Sequence, residues 1–406
     1  MKLRKASLWS VALIVATAIL PSCILPSSTT PASAPTTTIK PIATSPPATP
    51  TLTSCIPSGD QWDINSRLLA TDDTAILCQG AVFQLTAPVI FRATGQKVFT
   101  EGLPTDERRA VLRLVSASVT TAVFMMDWSN VELSHVIVDG NRPSLGPLPG
   151  DALIQAGGSA SGQVIREVKA LETRSWSTIH LFEGGSPRCT DALVENNQLG
   201  PAGRPDGSWA DGVSLACTHS VVRNNTIIDA TDGGIVIFGA PGSLVEGNVI
   251  RAESRTLLGG INMVDFHPYE GDYTNTRVRH NIIDSSGAVI RIGLGMGHRV
   301  WICLDPTQGP ADPTLFGAIV SENTLQGDHM QYGYVVDGVR DWTVAGNVDL
   351  AIHSGTPTVD CRGRVASPPA GFQYYGARST GIFQPQFAEA DLELALWAIA
   401  DPRPED

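Results

Sequence analysis

Residues 189–199 read Cys-Thr-Asp-Ala-Leu-Val-Glu-Asn-Asn-Gln-Leu, and residues 217–227 read Cys-Thr-His-Ser-Val-Val-Arg-Asn-Asn-Thr-Ile. The shared frame is a Val, two residues, an Asn, and an apolar residue two positions on. It recurs at Val194/Asn197, Val222/Asn225, Val245/Asn248, Val278/Asn281, Val320/Asn323 and Val344/Asn347, with 28, 23, 33, 42 and 24 residues between successive asparagines. Periods of this size mark a solenoid. The apolar residue is Leu199, Ile227, Ile250, Ile283 or Leu325, and Asp349 breaks the pattern. Val131 with Ser134 and Val136, and Ile165 with Val168 and Ala170, read as degenerate upstream copies.

After each copy come turn residues and a second short apolar strand, beginning at Thr178, Gly212, Gly234, Gly260, Val289 and Tyr334. Alternation of apolar and variable residues marks strands with one buried face. Several such strands in a repeat of about two dozen residues share a core only by stacking coil on coil, which predicts an all-β, single-stranded parallel β-helix. The recurring Asn then forms an internal ladder, each amide bonding its neighbours above and below. Cys189 and Cys217 fall at the same place in consecutive copies. Coils about 4.8 Å apart put them within disulfide reach.

With 42% hydrophobic and 17% charged residues, the 406-residue chain has material for a large core. Its net charge of −12 disfavours nucleic acid, and no Gly-X-Y period admits collagen. Met1 to Cys23 has a basic start and a short apolar run, the anatomy of a secretory leader. Leu20-Pro21-Ser22-Cys23 resembles the bacterial lipoprotein signal, in which the Cys is acylated, despite Pro21. Residues 24–54 hold 21 Ser, Thr or Pro among 31 and predict an extended tether. The expected organisation is a leader over 1–23, a linker over 24–54, a β-helix over 55–365 and a C-terminal cap and tail over 366–406. Taking Cys23 for lipid leaves six cysteines, assigned as Cys55–Cys78, Cys189–Cys217 and Cys303–Cys361 among 15 arrangements. No Cys-x-x-Cys zinc spacing occurs. Asp63 to Ala70 and Glu389 to Ala400 are expected to form capping helices, and Gly293 to Gly317 a long loop.

This repeat pattern resembles the pectin-lyase-like superfamily of right-handed parallel β-helices, over about residues 60 to 365. The family includes polygalacturonases, pectate lyases, alginate-modifying enzymes and phage tailspike glycosidases, so the resemblance implies polysaccharide more than one reaction. Trp209-Ala-Asp211-Gly212 is similar to the Asn-Thr-Asp-Gly motif of polygalacturonases, Thr231-Asp232-Gly233 keeps one Asp of their Asp-Asp, and Arg291-Ile-Gly293 keeps the Arg of Arg-Ile-Lys. Gly259, Gly293 and Gly233 stand where the family has His, Lys and the second Asp. These departures speak against polygalacturonase activity, and the resemblance leaves open a related glycosidase with its own acid pair.

Aligned on Ile179, Val213, Ile235, Ile261, Ile290 and Val335, the second strands are expected to put His180, Ser214, Val236, Asn262, Arg291 and Val336 in one outward column. Trp176, Asp211 and Asp232 precede these strands, and Glu183, Asp265 and His267 follow them. Paired acids are the donor and base of glycoside hydrolysis. Asp232 is assigned to protonate the leaving oxygen and Asp211 to activate water. Arg291, His180 and Asn262 orient the sugar, with Asp265, His267, Trp176 and Glu183 as further binding residues. An Asp-Gly pair is also an ordinary turn before a strand. His219, His280 and His353 read as surface turns.

Three readings stay open: an exported glycoside hydrolase without cofactor, a calcium-assisted lyase with Arg291 as base and Asp211, Asp232 and Asp265 as calcium ligands, and a non-catalytic glycan-binding surface protein. The expected partner is a polysaccharide or oligosaccharide, the chain a monomer, and membrane contact limited to the lipid anchor.

Overall fold

Strands too short to stand alone are held here by repetition. The computed structural model describes residues 54–204, 209–301, 314–355 and 367–390. Among them, three long sheets of 11, 10 and 11 strands and one two-stranded sheet are parallel throughout. Each full coil adds one strand to each long sheet, here called A, B and C in chain order. The architecture is a right-handed parallel β-helix. The repeating valines, such as Val222 and Val245, face the core from sheet A, and Ile227, Ile250 and Ile283 face it from sheet B, all fully buried. Each such side chain contributes about 1.5–3 kcal/mol relative to exposure.

Between sheets A and B the chain turns sharply on one residue in the left-handed region. It is Asn196, Asn224, Gly247, His280, Glu322 or Gly346, each immediately before a ladder asparagine. The ladder holds that turn. Nδ2 of Asn197, Asn225, Asn248, Asn281 and Asn323 donates to Oδ1 of the next asparagine at 2.8–2.9 Å. The same oxygen accepts from the backbone N–H of the asparagine before it, as Asn248 Oδ1 does from Asn225 at 3.0 Å. The second amide hydrogen goes to a sheet A carbonyl, for Asn248 that of Val222. Val168 N–H closes the ladder at one end on Asn197 Oδ1, and Gln384 closes it at the other on Asn347.

Among the described residues two disulfides join neighbouring coils, and Cys189–Cys217 joins equivalent places on them. Cα atoms are 4.9 Å apart in Cys55–Cys78 and 4.8 Å apart in Cys189–Cys217. Cys303 and Cys361 lie outside the described residues, as do Cys23, the leader and the linker to residue 53.

At the N-terminal end, α1 (Gln61–Asn65) starts on a capping box in which Asp60 accepts from Trp62 N–H and Asp63 accepts from Asp60 N–H. It is shorter than the helix expected over Asp63–Ala70. Its Ile64, with Leu68 just beyond, plugs the core, while Asn65 bonds Pro88 O and Ile90 N–H at the exposed strand edge. A second short helix, α2 (Arg142–Leu145), sits in the turn after a sheet B strand.

Three further boundaries differ from expectation. Gly293 to Met296 belong to the sheet C strand Ile290–Met296, so the insertion starts at Gly297 and opens with α3 (His298–Trp301). Strands Phe372–Tyr374, Gly381–Phe383 and Ala388–Glu389 extend sheets C and A beyond residue 365. Glu389 ends a strand rather than starting a helix, and residues 391–406 lie outside the described residues.

Asn248→Ala removes the acceptor of Asn225 N–H and Nδ2 and the donor to Val222 O. Each buried group left unpaired costs about 1–3 kcal/mol. The urea midpoint is expected to fall markedly, whereas Asn224→Gly, at a left-handed position outside the ladder, leaves it nearly unchanged. Equal effects would refute the ladder's role.

Candidate active site

Sheet C brings the candidate residues together. Its inward glycines identify the faces: a Cβ at Gly212, Gly234 or Gly260 would strike the core residues Ile227, Ile250 and Ile283. One residue earlier, the backbone register aligns Ser177, Asp211, Gly233, Gly259, Ile292 and Tyr332 on the outer face. A second outer row runs Gln155, His180, Ser214, Val236, Asn262, Gly295 and Val335.

This register corrects the expected column. Ile261 pairs with Leu294, not Ile290, and Leu294 pairs with Tyr334, not Val335. The strands Leu257–Met263, Ile290–Met296 and Met330–Val336 have seven residues where Asp211–Leu215 and Gly233–Ile237 have five, and the additional residues include early ones. The first buried residue is therefore not the equivalent one. Arg291 falls beside Leu258 and Gln331, and Val336 turns into the core. Asp232 is one residue out of step with Asp211, its N–H bonding Ala210 O at 3.1 Å.

The glycines shape the site. A Cβ at Gly259 would overlap Asn262 Oδ1, and one at Gly233 would meet Asn262 Nδ2 at 2.7 Å, so the amide folds back over both backbones. Both polar atoms of the Asn262 amide are buried without a hydrogen bond within the protein. Asp211 is 3% exposed. Its Oδ2 accepts from Ser214 Oγ at 2.6 Å, and Ser214 Oγ lies 2.7 Å from Ser177 Oγ. Asp211 Oδ1 and Asp232 Oδ1 are buried and unpaired.

Burial raises all three carboxyls in this region. Asp211 is pushed well above the usual range by burial and then by the charges of Asp232 and Asp265, against the Ser214 hydrogen bond. Burial raises Asp232 to about 7, and burial followed by the Asp232 charge raises Asp265 to about 7. Asp232 and Asp265 keep some surface open to solvent while lying deep enough to feel this cost. Asp211 and Asp232 interact strongly enough that their protons belong to the pair rather than to either residue alone.

The other candidates lie around this cluster. His180 Nδ1 is 2.9 Å from Asp151 Oδ1, and its ring meets Trp176 and Phe182 edge-on at 4.8 and 5.6 Å. Asp151, which also accepts from Ala152 N–H, escaped notice because it lies in a turn 29 residues before His180. Arg291 Nη1 donates to Gln331 at 3.3 Å, its Nε is buried and unpaired, and burial lowers its pKa. Glu183 stands in a wall loop near Tyr269, whose ring carries Arg188 at 4.5 Å. The His267 side chain is 71% exposed and 3.3 Å from Glu270.

His298 at the start of α3 was not anticipated. Its Nδ1 is 2.8 Å from Val264 O and burial lowers its pKa. His219 and His280 do sit in left-handed turns, but His353 is not a surface turn. It is mostly buried, with Nε2 2.8 Å from Asp349 Oδ2 and Nδ1 3.0 Å from Gln331 O. Among the described residues no three His, Cys, Asp or Glu side chains are arranged to hold a metal ion.

No family model and no curated protein matches the sequence. Solved structures are similar at low identity. An exopolygalacturonase from Thermotoga maritima is 11% identical with a TM-score of 0.46, over 69% of this chain and 84% of that one. An alginate lyase from Paenibacillus sp. is 13% identical with a TM-score of 0.44, over 73% and 98%. A mannuronan C-5 epimerase A-module from Azotobacter vinelandii is 13% identical with a TM-score of 0.37, over 70% and 91%. These likenesses are of fold alone and assign no chemistry.

Because burial raises these carboxyls in the folded state, the folded chain binds more protons than the unfolded one between about pH 4 and pH 7. Stability contributed by this site therefore falls as pH rises through that window. Asp211→Asn, which keeps the shape without the charge, is expected to raise the melting temperature relative to wild type at pH 8 and to change it little at pH 4. The same shift at both pH values would show that Asp211 titrates normally.

Proposed function

We propose that the chain is an exported, polysaccharide-active β-helix enzyme, and specifically a glycoside hydrolase working at Asp232 and Asp265. The observation that carries this reading is three carboxyls on successive coils, Asp232 and Asp265 raised to about 7 and Asp211 raised well above its usual range, beside an amide and carboxyl oxygens with no internal partner. Proton donors that hold their proton near neutral pH, next to a carboxylate, are what glycoside hydrolysis needs. The disulfides support export, since such bonds persist outside the cytoplasm. Acylation at Cys23 is part of the same proposal.

The roles differ from those expected from sequence. The charge of Asp232, once ionised, adds to burial in keeping Asp265 and Asp211 protonated. Asp265 retains open surface, which suits it to protonate the leaving glycosidic oxygen as the C1–O bond breaks, while the Asp232 carboxylate takes the proton of the water that bonds to C1. Asp211, nearly closed off and tied to Ser214, positions and tunes these two. Asn262 supplies a donor and an acceptor to sugar hydroxyls, and His180, held by Asp151, belongs to the same outer row. A lyase reading has one observation in its favour, the buried Arg291 with its lowered pKa, which suits a base.

The purified protein should release reducing ends from one member of a panel of neutral and uronate polysaccharides, without unsaturated-uronate absorbance and regardless of chelator. Absorbance that disappears with chelator would establish the lyase instead, and silence on every substrate the non-catalytic protein. Asp265→Asn and Asp232→Asn are each expected to lower kcat by about 10²–10⁴-fold. Wild-type activity should decline as pH rises above about 7, where Asp265 loses its proton.

A further inference from the structure

The outer face of sheet C is asymmetric about the acids. In the row containing Asp211, Gly233 and Gly259, the next two positions are Ile292 and Tyr332, and in the row containing Asn262 they are Gly295 and Val335. Ile292, Tyr332 and Val335 are fully buried although they belong to outer rows. They form a separate apolar cluster with Val300 of α3, against which Tyr375 and Ala390 pack. The helix rests directly on the sheet: a Cβ at Gly295 would sit 3.3 Å from Val300 Cγ1. Tyr332 further anchors the C-terminal segment by donating to Ser367 O at 3.0 Å. An apolar roof thus covers the floor immediately beyond Asn262, leaving no lane there for a hydrated polymer.

The opposite direction differs. Continuing the Asn262 row toward the N-terminal coils leads through Val236, Ser214 and His180, which are buried under neighbouring side chains with, among the described residues, no apolar cluster like that of α3 over them, to Gln155, Phe124 and Ile90, which are half-buried. Trp176, whose carbonyl accepts from Asp211 N–H, is 37% exposed beside His180. From Ile90 to Val236 the row crosses six coils, about 24 Å at about 4.8 Å per step. Exposed aromatic rings on such a track suit the apolar faces of sugar rings, and the polar side chains between them suit hydroxyls.

Building on the hydrolase reading, we infer that the enzyme is exo-acting: the glycan lies along sheet C on the N-terminal side of the acids, and its terminus abuts the α3 roof. Bonds are cut only near a chain end, because a continuous chain passing through the site would need the space that Val300, Ile292 and Val335 fill. The product is then a short sugar of fixed size. Specificity for the polymer body comes from the Trp176 and His180 side.

The test follows product size over time with the full chain and polygalacturonate, alginate and a neutral β-glucan as probes, by size-exclusion chromatography of the early digest. The expected result on the responding polymer is one short product from the first time point, with the polymer peak hardly shifted until late. A ladder of intermediate fragments and an early collapse of the polymer peak would overturn the inference while leaving the hydrolase reading intact. Silence on all three, with folding intact, would remove both. Trp176→Ala should lower kcat/KM for long chains about tenfold, with a smaller loss for the shortest cleavable oligosaccharide; an equal loss on both would count against the N-terminal track.

Discussion

A carboxamide has two hydrogens to donate and two acceptor sites, and each internal ladder asparagine of this chain uses all four inside the core wall. Sheets A and B meet at a turn too sharp for ordinary backbone, so one residue per coil enters the left-handed region at a cost of about 1–2 kcal/mol where it is not glycine. The amide beside that residue receives the N–H of the coil below and bonds a carbonyl of sheet A. Since each amide also contacts its neighbour, the coils are locked in one register around that corner. The stacking of the core valines and isoleucines, and the disulfide between equivalent cysteines, depend on this register.

Sheet C is free of that constraint, and there the coils diverge. Strand length, inserted loops and side chains vary along it, and the consequence is a surface with distinct zones. Asp211, followed on the next two coils by glycines, leaves room for the Asn262 amide to fold back. On the coil after these glycines the same row becomes apolar and takes α3 as a lid. Rigid neighbouring coils hold these side chains, so the acids keep unpaired oxygens in a buried setting that a mobile loop would relax. The strain of burying three carboxyls lowers stability at neutral pH, and the ladder and core are what tolerate it.

The legibility of the sequence follows the same division. The Val-x-x-Asn frame gave the fold, the ladder and the Cys189–Cys217 pair because in a solenoid the residues that touch are one period apart in the chain. Asp211, Asp232 and Asn262 were recognisable as neighbours for that reason, and the raised carboxyls Asp211, Asp232 and Asp265 are all among the acids singled out near the second strands. Arg291 was misplaced because strands of seven residues were aligned with strands of five by their first apolar residue. His298 and Asp151 carry no repeat signal, one standing in an insertion and the other in a turn.

By itself, the sequence determined the coil, its inward residues and the cross-coil bonds, since these are nearest-neighbour contacts that recur at a readable period. Only the tertiary structure decided the proton affinities of Asp211, Asp232 and Asp265, the register of Arg291 and the closure of sheet C by α3. Burial and charge act through space as sums over every surrounding group, and such sums, unlike a repeat, are not written in the spacing of residues along the chain.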